Sequence, residues 1–223
     1  MISDVHGNYP ALKAVLLELD AINCKQILSL GDVAGYYCMI NECIDEFRAR
    51  NIINLMGNHD AYILGYRQCS RSVTVNRCIA YQKNVITGKN YTYLSNSPLS
   101  YEDVYLSARH GGWTDPIDEY VDAFDFSLFR EINKKMYCSG HTHIQKRQDY
   151  EGKVYFNPGA VGQPRDGDAR AAYALIRDGV VTLHRAAYPI EQIVQAMEAE
   201  GFERRISECL FYGEKIRPFG SAR

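Results

Sequence analysis

Apolar and polar positions along this chain alternate between helical spacing and short apolar runs. From Asn8 to Asp20 the apolar residues recur at helical intervals and Pro10 sits in a first turn, which predicts a helix. Ile27 to Leu30 is a short apolar run that predicts a buried strand ending at Gly31-Asp32. Met39 to Arg50 reads as helix again, and Ile52 to Met56 as a second strand running into Gly57-Asn58-His59-Asp60. Val104 to Ala108 leads to His110, and Lys135 to Ser139 leads to Gly140-His141. Beyond Gly140 the pattern becomes hairpin-like: Val154 to Phe156, then Ala171 to Arg177, a turn at Arg177-Asp178-Gly179, and Val180 to His184. Ile190 to Glu200 predicts a terminal helix capped by Gly201. No repeat or linker is evident, so one domain over residues 1–212 is expected, with a polar tail from 213 to 223.

Composition narrows the class. A chain of 223 residues can bury a substantial core. Its 46% hydrophobic and 23% charged residues are ordinary for a globular protein. A formal charge of −2 disfavours bulk binding to nucleic acid. Seven scattered cysteines without a Cys-x-x-Cys pair read as reduced thiols, Cys24 and Cys138 in apolar strand-like runs. No segment reads as a signal peptide or a membrane span, so a cytoplasmic location is the expectation. The 17 tyrosines have no firm explanation in the sequence.

Chemistry concentrates in five short motifs, which hold five of the six histidines. In order they are Asp4-Val5-His6, Gly31-Asp32, Gly57-Asn58-His59-Asp60, His110-Gly111-Gly112 and Gly140-His141-Thr142-His143. Imidazoles mixed with carboxylates and one carboxamide suit divalent cations, not a thiolate zinc finger. Each group follows an apolar run, at the carboxyl end of an expected strand, where active sites of open sheets collect. Taken singly, Asp4-Val5-His6 reads as a turn and helix cap and Gly57-Asn58 as a tight turn. Jointly, five such groups at strand ends read as a metal site.

This order of motifs resembles the calcineurin-like metallophosphoesterase superfamily. Its spacing agrees, with 25 residues between His6 and Asp32 and 25 between Asp32 and Asn58. The likeness runs from Asp4 to at least Asp168, and Asn157 to Asp168 is similar to small uncapped prokaryotic members. The resemblance implies an α/β, four-layer αββα sandwich: two mixed β-sheets face each other, flanked by helices. It implies two divalent metal ions, of manganese, iron, zinc, nickel or cobalt. Asp4, His6, Asp32 and His143 would hold the first, and Asp32, Asn58, His110 and His141 the second. Asp32 would bridge, offsetting the repulsion of cations roughly 3.5–4 Å apart. His59 would be the general acid, and a metal-bridging hydroxide would attack a small phosphorylated substrate such as a nucleotide. Arg165 is a candidate fork donor to a substrate phosphate, with a surface role the competing reading. Trp113 reads as a packing residue and His184 as an exposed strand residue.

Three features depart from relatives. Only Met1-Ile2-Ser3 precedes Asp4, fewer than the roughly five residues of a strand. Asp4 and His6 are therefore expected on a frayed end, or the natural start lies further upstream. Gly31 to Tyr36 lacks the Asp-Arg pair that protein serine/threonine phosphatases place there, which disfavours a phosphoprotein substrate. His110 precedes Gly111-Gly112, where many relatives have proline. The expected activity is hydrolysis of a phosphodiester, a nucleotide polyphosphate or a phosphomonoester. The alternative is a catalytically impaired nucleotide-binding or regulatory relic.

Overall fold

A computed structural model of the chain describes residues 1–70, 72–129 and 132–216. Helix α1 (Tyr9–Ala21) begins as its sequence dictates, with the Asn8 side chain accepting the Ala11 N–H at 3.3 Å. Strand β1 (Leu28–Ser29), helix α2 (Ile40–Ala49) and strand β2 (Ile53–Asn54) follow, β1 and β2 pairing in parallel with Leu28 opposite Ile53. Both strands are shorter than their apolar runs, because the chain leaves the sheet at once to make the motif turns.

Three helices come next that the apolar pattern leaves unread: α3 (Asn58–Leu64), α4 (Val73–Val85) and α5 (Gly88–Ser95). Helix α4 starts on β-branched residues and buries only Val75, Cys78, Ile79 and Gln82, too thin a stripe to register as periodicity. A second sheet holds β3 (Ser100–Glu102), β4 (Leu106–Arg109), β5 (Met136–Cys138), β6 (Gln145–Tyr150) and β7 (Lys153–Pro158), in the order β3-β4-β5-β7-β6. Its three central strands run parallel and its edges antiparallel. Strand β6 is polar along its length, so only its pairing with β7 makes it a strand. The hairpin β8 (Ala171–Arg177) and β9 (Val180–Ala186) turns on Asp178 and Gly179, both at positive φ, as a two-residue hairpin requires. Helices α6 (Ile190–Ala199) and α7 (Arg205–Glu208) follow, and a 3₁₀ turn (Cys209–Tyr212) is the last named element. Of the expected polar tail, residues 217–223 lie outside the described residues.

The expected fraying of the first residues is not what the structure shows. Ile2 forms a parallel bridge with Ser29, donating to Leu28 O at 3.0 Å and accepting from Leu30 N at 2.9 Å. Met1 accepts from Ala174 N at 3.0 Å, and its ammonium donates to Ala174 O at 2.8 Å. Two residues thus join β1 to β8 as a central rung, and Ile2 and Asp4 are fully buried.

The layers follow from strand alternation. Met136, Cys138, Val154 and Phe156 face inward against Leu28, Leu30 and Leu55 of the first sheet. Each fully buried side chain of this size contributes about 1.5–3 kcal/mol. Leu12, Val15 and Leu16 of α1, with Ile40, Ile44 and Phe47 of α2, cover the first sheet on its other side. The mixed α/β sandwich is as expected, with one refinement. The outer face of the second sheet presents Tyr137 and Tyr155 to Phe124 and Phe126, from a loop and a short 3₁₀ turn (Phe126–Phe129). At the amino ends of the strands the sheets part around a cavity of about 430 Å³, where Leu28, Leu106 and Met136 meet Lys25, Asp103 and Arg177. The ligand motifs occupy the opposite ends. Among the described residues no helix is long and apolar enough to cross a membrane.

Candidate metal centre

Five of the expected ligands sit in left-handed backbone: Asp4 (φ 54°), His6 (52°), Asp32 (55°), His141 (65°) and His143 (63°). Asp and His tolerate this region better than most residues, but each such residue still costs about 1–3 kcal/mol. Hydrogen bonds between motif turns hold them there. Asp4 N donates to Gly31 O at 3.0 Å, His6 N to Asp32 O at 2.9 Å, and Gly162 N to Asp4 O at 2.9 Å. Gly57 is required for close approach, since a Cβ there would meet Asp32 Oδ1 at 2.0 Å.

Three imidazoles are oriented alike. His6 Nδ1 donates to Ala34 O (2.9 Å), His110 Nδ1 to Leu30 O (3.1 Å) and His143 Nδ1 to Gln163 O (2.6 Å). With Nδ1 carrying the proton, each Nε2 turns a lone pair inward. His6 Nε2 then faces His143 Nε2 at 3.0 Å, and His110 Nε2 faces Asn58 Oδ1 at 3.1 Å. Such acceptor–acceptor contacts are repulsive unless a cation lies among them.

The carboxylates point the same way. Asp32 Oδ1 accepts the His59 N–H at 2.8 Å, while its buried Oδ2 lacks a hydrogen-bond partner and lies 3.5 Å from His110 Nε2 and 3.7 Å from His6 Nε2. Asp4 Oδ1 is likewise unpartnered, 3.2 Å from His143 Nε2. Burial, then the nearby carboxylates of Asp60 and Asp4, push Asp32 well above the usual carboxylate range. Burial first, and then neighbouring positive charge, hold His6, His59 and His143 below the ordinary histidine value. Neutral imidazoles and crowded carboxylate oxygens without partners are the donor set of a divalent cation. The residues present therefore fit the metal that the motifs imply.

All seven expected ligands come together. Asp4, His6 and His143 form one group of donors within 4.8 Å of one another, and Asp32, His110 and His141 another. Asn58 joins the second through His110. Asp32 lies between them. His59 is nearer the centre than a residue directed away from the ions would be: it shares a group with His6 and Asp32, and its Nδ1 is buried without a partner. Asp60 does not pair with His59. Its carboxylate accepts the backbone N–H groups of Asp32, Ala34 and Gly57 and clamps the two motifs together.

Arg165 borders the centre. It donates to Tyr36 OH at 3.0 Å and to Gln163 Oε1 at 2.6 Å, half-buried on a cavity of about 110 Å³ shared with Asp32, Asn58 and His59. The other walls, Tyr36, Tyr62 and Tyr120, escaped the sequence reading. Tyr36 and Tyr62 had a signal, since each lies within four residues of a motif. Tyr120 had none, because a loop carries it in. Trp113 packs as expected, edge-on to Phe124 and Tyr137, with Nε1 donating to Ser107 Oγ at 2.8 Å. His184 is half-buried and stacked on Tyr173, and among the described residues it belongs to no donor group. Cys138 is buried, whereas Cys24 is only partly so and lies outside any strand.

Comparison with known proteins gives the family and the fold. Residues 1–178 match the model of the calcineurin-like phosphoesterase superfamily domain. The chain is 29% identical over 242 residues to uncharacterized protein MJ0912 of Methanocaldococcus jannaschii, covering 96% of this chain and 97% of that one. A metallophosphoesterase from Sphaerobacter thermophilus is similar in structure, with a TM-score of 0.82, 30% identity, and coverage of 95% and 98%. Hypothetical protein PH1004 from Pyrococcus horikoshii shares the fold at a TM-score of 0.82 and 17% identity, with coverage of 96% and 97%. Converging donors at the strand ends and a match over most of its length make this chain a member of the calcineurin-like phosphoesterase superfamily.

Proposed function

We propose that this protein is a dinuclear metal-dependent phosphoesterase. The observation that carries the reading is the pair of donor groups, Asp4/His6/His143 and Asp32/His110/His141, with Asp32 between them and a carboxylate oxygen unpartnered in each. Two divalent cations held there would supply Lewis acidity toward a phosphoryl oxygen and toward water.

The chain's own residues do the rest. The guanidinium of Arg165 offers fork donors to phosphate oxygens at the cavity wall. Burial pushes the Tyr36 phenol up to about 12, so the hydroxyl that accepts from Arg165 keeps a proton to donate. His59 packs against both Tyr36 and His6, its ring centroid 4.8 Å and 4.7 Å from theirs; neutral in the free protein, it would gain a proton beside the bound phosphate dianion and pass it to the departing oxygen. A cavity of about 110 Å³ admits a phosphoryl group, whereas sites for whole small molecules run to about 300 Å³ and more. The remainder of the substrate would lie outside, past Tyr62 and Tyr120. This favours a small phosphorylated substrate whose leaving group is loosely specified.

Elemental analysis combined with hydrolysis of bis-p-nitrophenyl phosphate and p-nitrophenyl phosphate in manganese tests the proposal. Two bound ions and turnover of either ester are expected, and the preferred ester separates diesterase from monoesterase. A protein that binds no metal and turns over neither is the relic.

A further inference from the structure

His141 is held differently from the other three histidine ligands. Among the described residues no backbone carbonyl fixes its ring. Its buried Nε2 lies 3.5 Å from Asp118 Oδ1, and the Tyr120 ring packs on its face with centroids 4.1 Å apart. Asp118 belongs to none of the converging donor groups among the described residues, and it faces the centre through His141.

The segment carrying both residues is folded on itself. Gly111 N donates to Pro116 O at 2.8 Å and Gly112 N to Asp115 O at 2.9 Å. Glu119 Oε2 accepts from Thr114 N, Thr114 Oγ1 and Asp115 N, at 2.8, 2.6 and 3.1 Å. Asp115 Oδ1 accepts the Asp118 N–H, and its carboxylate takes a fork from Arg67, just past α3, at 3.0 and 3.2 Å. The wrap depends on glycine: a Cβ at Gly111 would meet backbone at Asp115 O (2.7 Å), Glu119 N (2.8 Å) and Asp118 N (2.9 Å). This is a built loop that aims two side chains at one imidazole.

Resting on the two-ion reading above, we propose that Asp118 is a positioning residue for the second ion. It accepts the Nε2–H of His141 and so leaves the Nδ1 lone pair for the metal. A second partner of this kind fixes the tautomer and raises the basicity of a ligating imidazole. The 3.5 Å separation exceeds an ordinary hydrogen bond by about 0.5 Å, which a small rotation of the partly exposed carboxylate closes.

Two measurements on the full chain test this. In the metal-free protein, ¹⁵N–¹H correlation of the imidazoles should find His141 as the Nε2–H tautomer. Asp118→Ala should release it, and Asp118→Asn, whose amide oxygen still accepts, should restore it. In calorimetric titration with Mn²⁺, Asp118→Ala should weaken one equivalent by roughly 10–100-fold and leave the other unchanged, with Asp118→Asn between. The inference is overturned if Asp118→Ala keeps the Nε2–H tautomer. It is equally overturned if that variant binds both equivalents as the parent does, or weakens both alike while melting lower. A parent that binds no second equivalent sinks the two-ion reading instead, and the tautomer still decides whether Asp118 holds His141.

Discussion

The two halves of the proposed metal centre are built by different means. The first, Asp4, His6 and His143, is tied to the sheets: both imidazoles hang from backbone carbonyls, and the Asp4 backbone is bonded to Gly31 and Gly162. The second takes His110 from a strand end in the same manner, but His141 is faced by side chains of the loop 111–120. A backbone-held ligand can move only with the core. A loop-held ligand can be altered without disturbing the sheets, so the second half is where one fold can tune its metal. Asp32 belongs to both halves and ties their fates together.

Replacing that shared residue should break the comparison most severely. Asp32→Asn removes the charge that faces both groups, so binding of both ions should weaken by more than about 100-fold, beyond the usual effect of an outer partner. Activity should fall to background. Two retained ions and parental activity in this variant would refute the assignment of the bridge.

His59→Ala tests chemistry apart from either half. Metal content should stay near the parent's while kcat falls by roughly 10²–10⁴, the worth of a positioned general acid. The loss should shrink for p-nitrophenolate, which leaves without needing a proton. Equal losses for good and poor leaving groups would remove the acid role, and lost metal would make His59 a ligand, as its place beside His6 and Asp32 allows.

Gly112→Ala should separate the halves. Its methyl group would push aside the Glu119 carboxylate and break the bonds by which it ties Thr114 and Asp115, loosening the loop at a cost of about 1–3 kcal/mol. Titration should then show one weakened equivalent and one intact. Equal weakening of both would mean that the loop supports the whole centre.

Acid should act on both halves at once and so test what they share. The folded-state values of His6, His59, His141 and His143 are all lowered, burial first, with His141 down to about 2. The unfolded chain therefore takes up more protons, so this stability is complete above pH 6.5 and lost as the pH falls below it. Each such histidine contributes a slope of at most ~1.4 kcal/mol per pH unit. Asp32 and Asp60, both raised, take up protons first in the folded state and offset part of the loss as the pH nears their folded values. The Tm of the metal-free protein should decline from pH 7.5 to 5.5. A flat profile would mean that these imidazoles are not buried in the neutral form.

The sequence by itself determined which candidate ligands would gather and that they would sit at strand ends. Apolar runs locate strands, and Asp, Asn and His after them are too unusual in concert to be turn chemistry. It also determined helices α1, α2 and α6 and the β8–β9 hairpin, where apolar spacing and turn residues agree. Tertiary structure decided what carries no local signal. Polar β6 is a strand only because β7 lies beside it, and α4 shows too thin an apolar stripe to be read. Met1 and Ile2 are too few for a strand alone, yet β1 and β8 on either side supply their hydrogen bonds. The left-handed turns of Asp4, His6, Asp32, His141 and His143 are unfavourable locally and persist because distant motifs bond to one another. Asp118 and Tyr120 look like ordinary loop residues until the fold brings His141 against them, since a ligand's orientation depends on contacts that no spacing in the chain encodes.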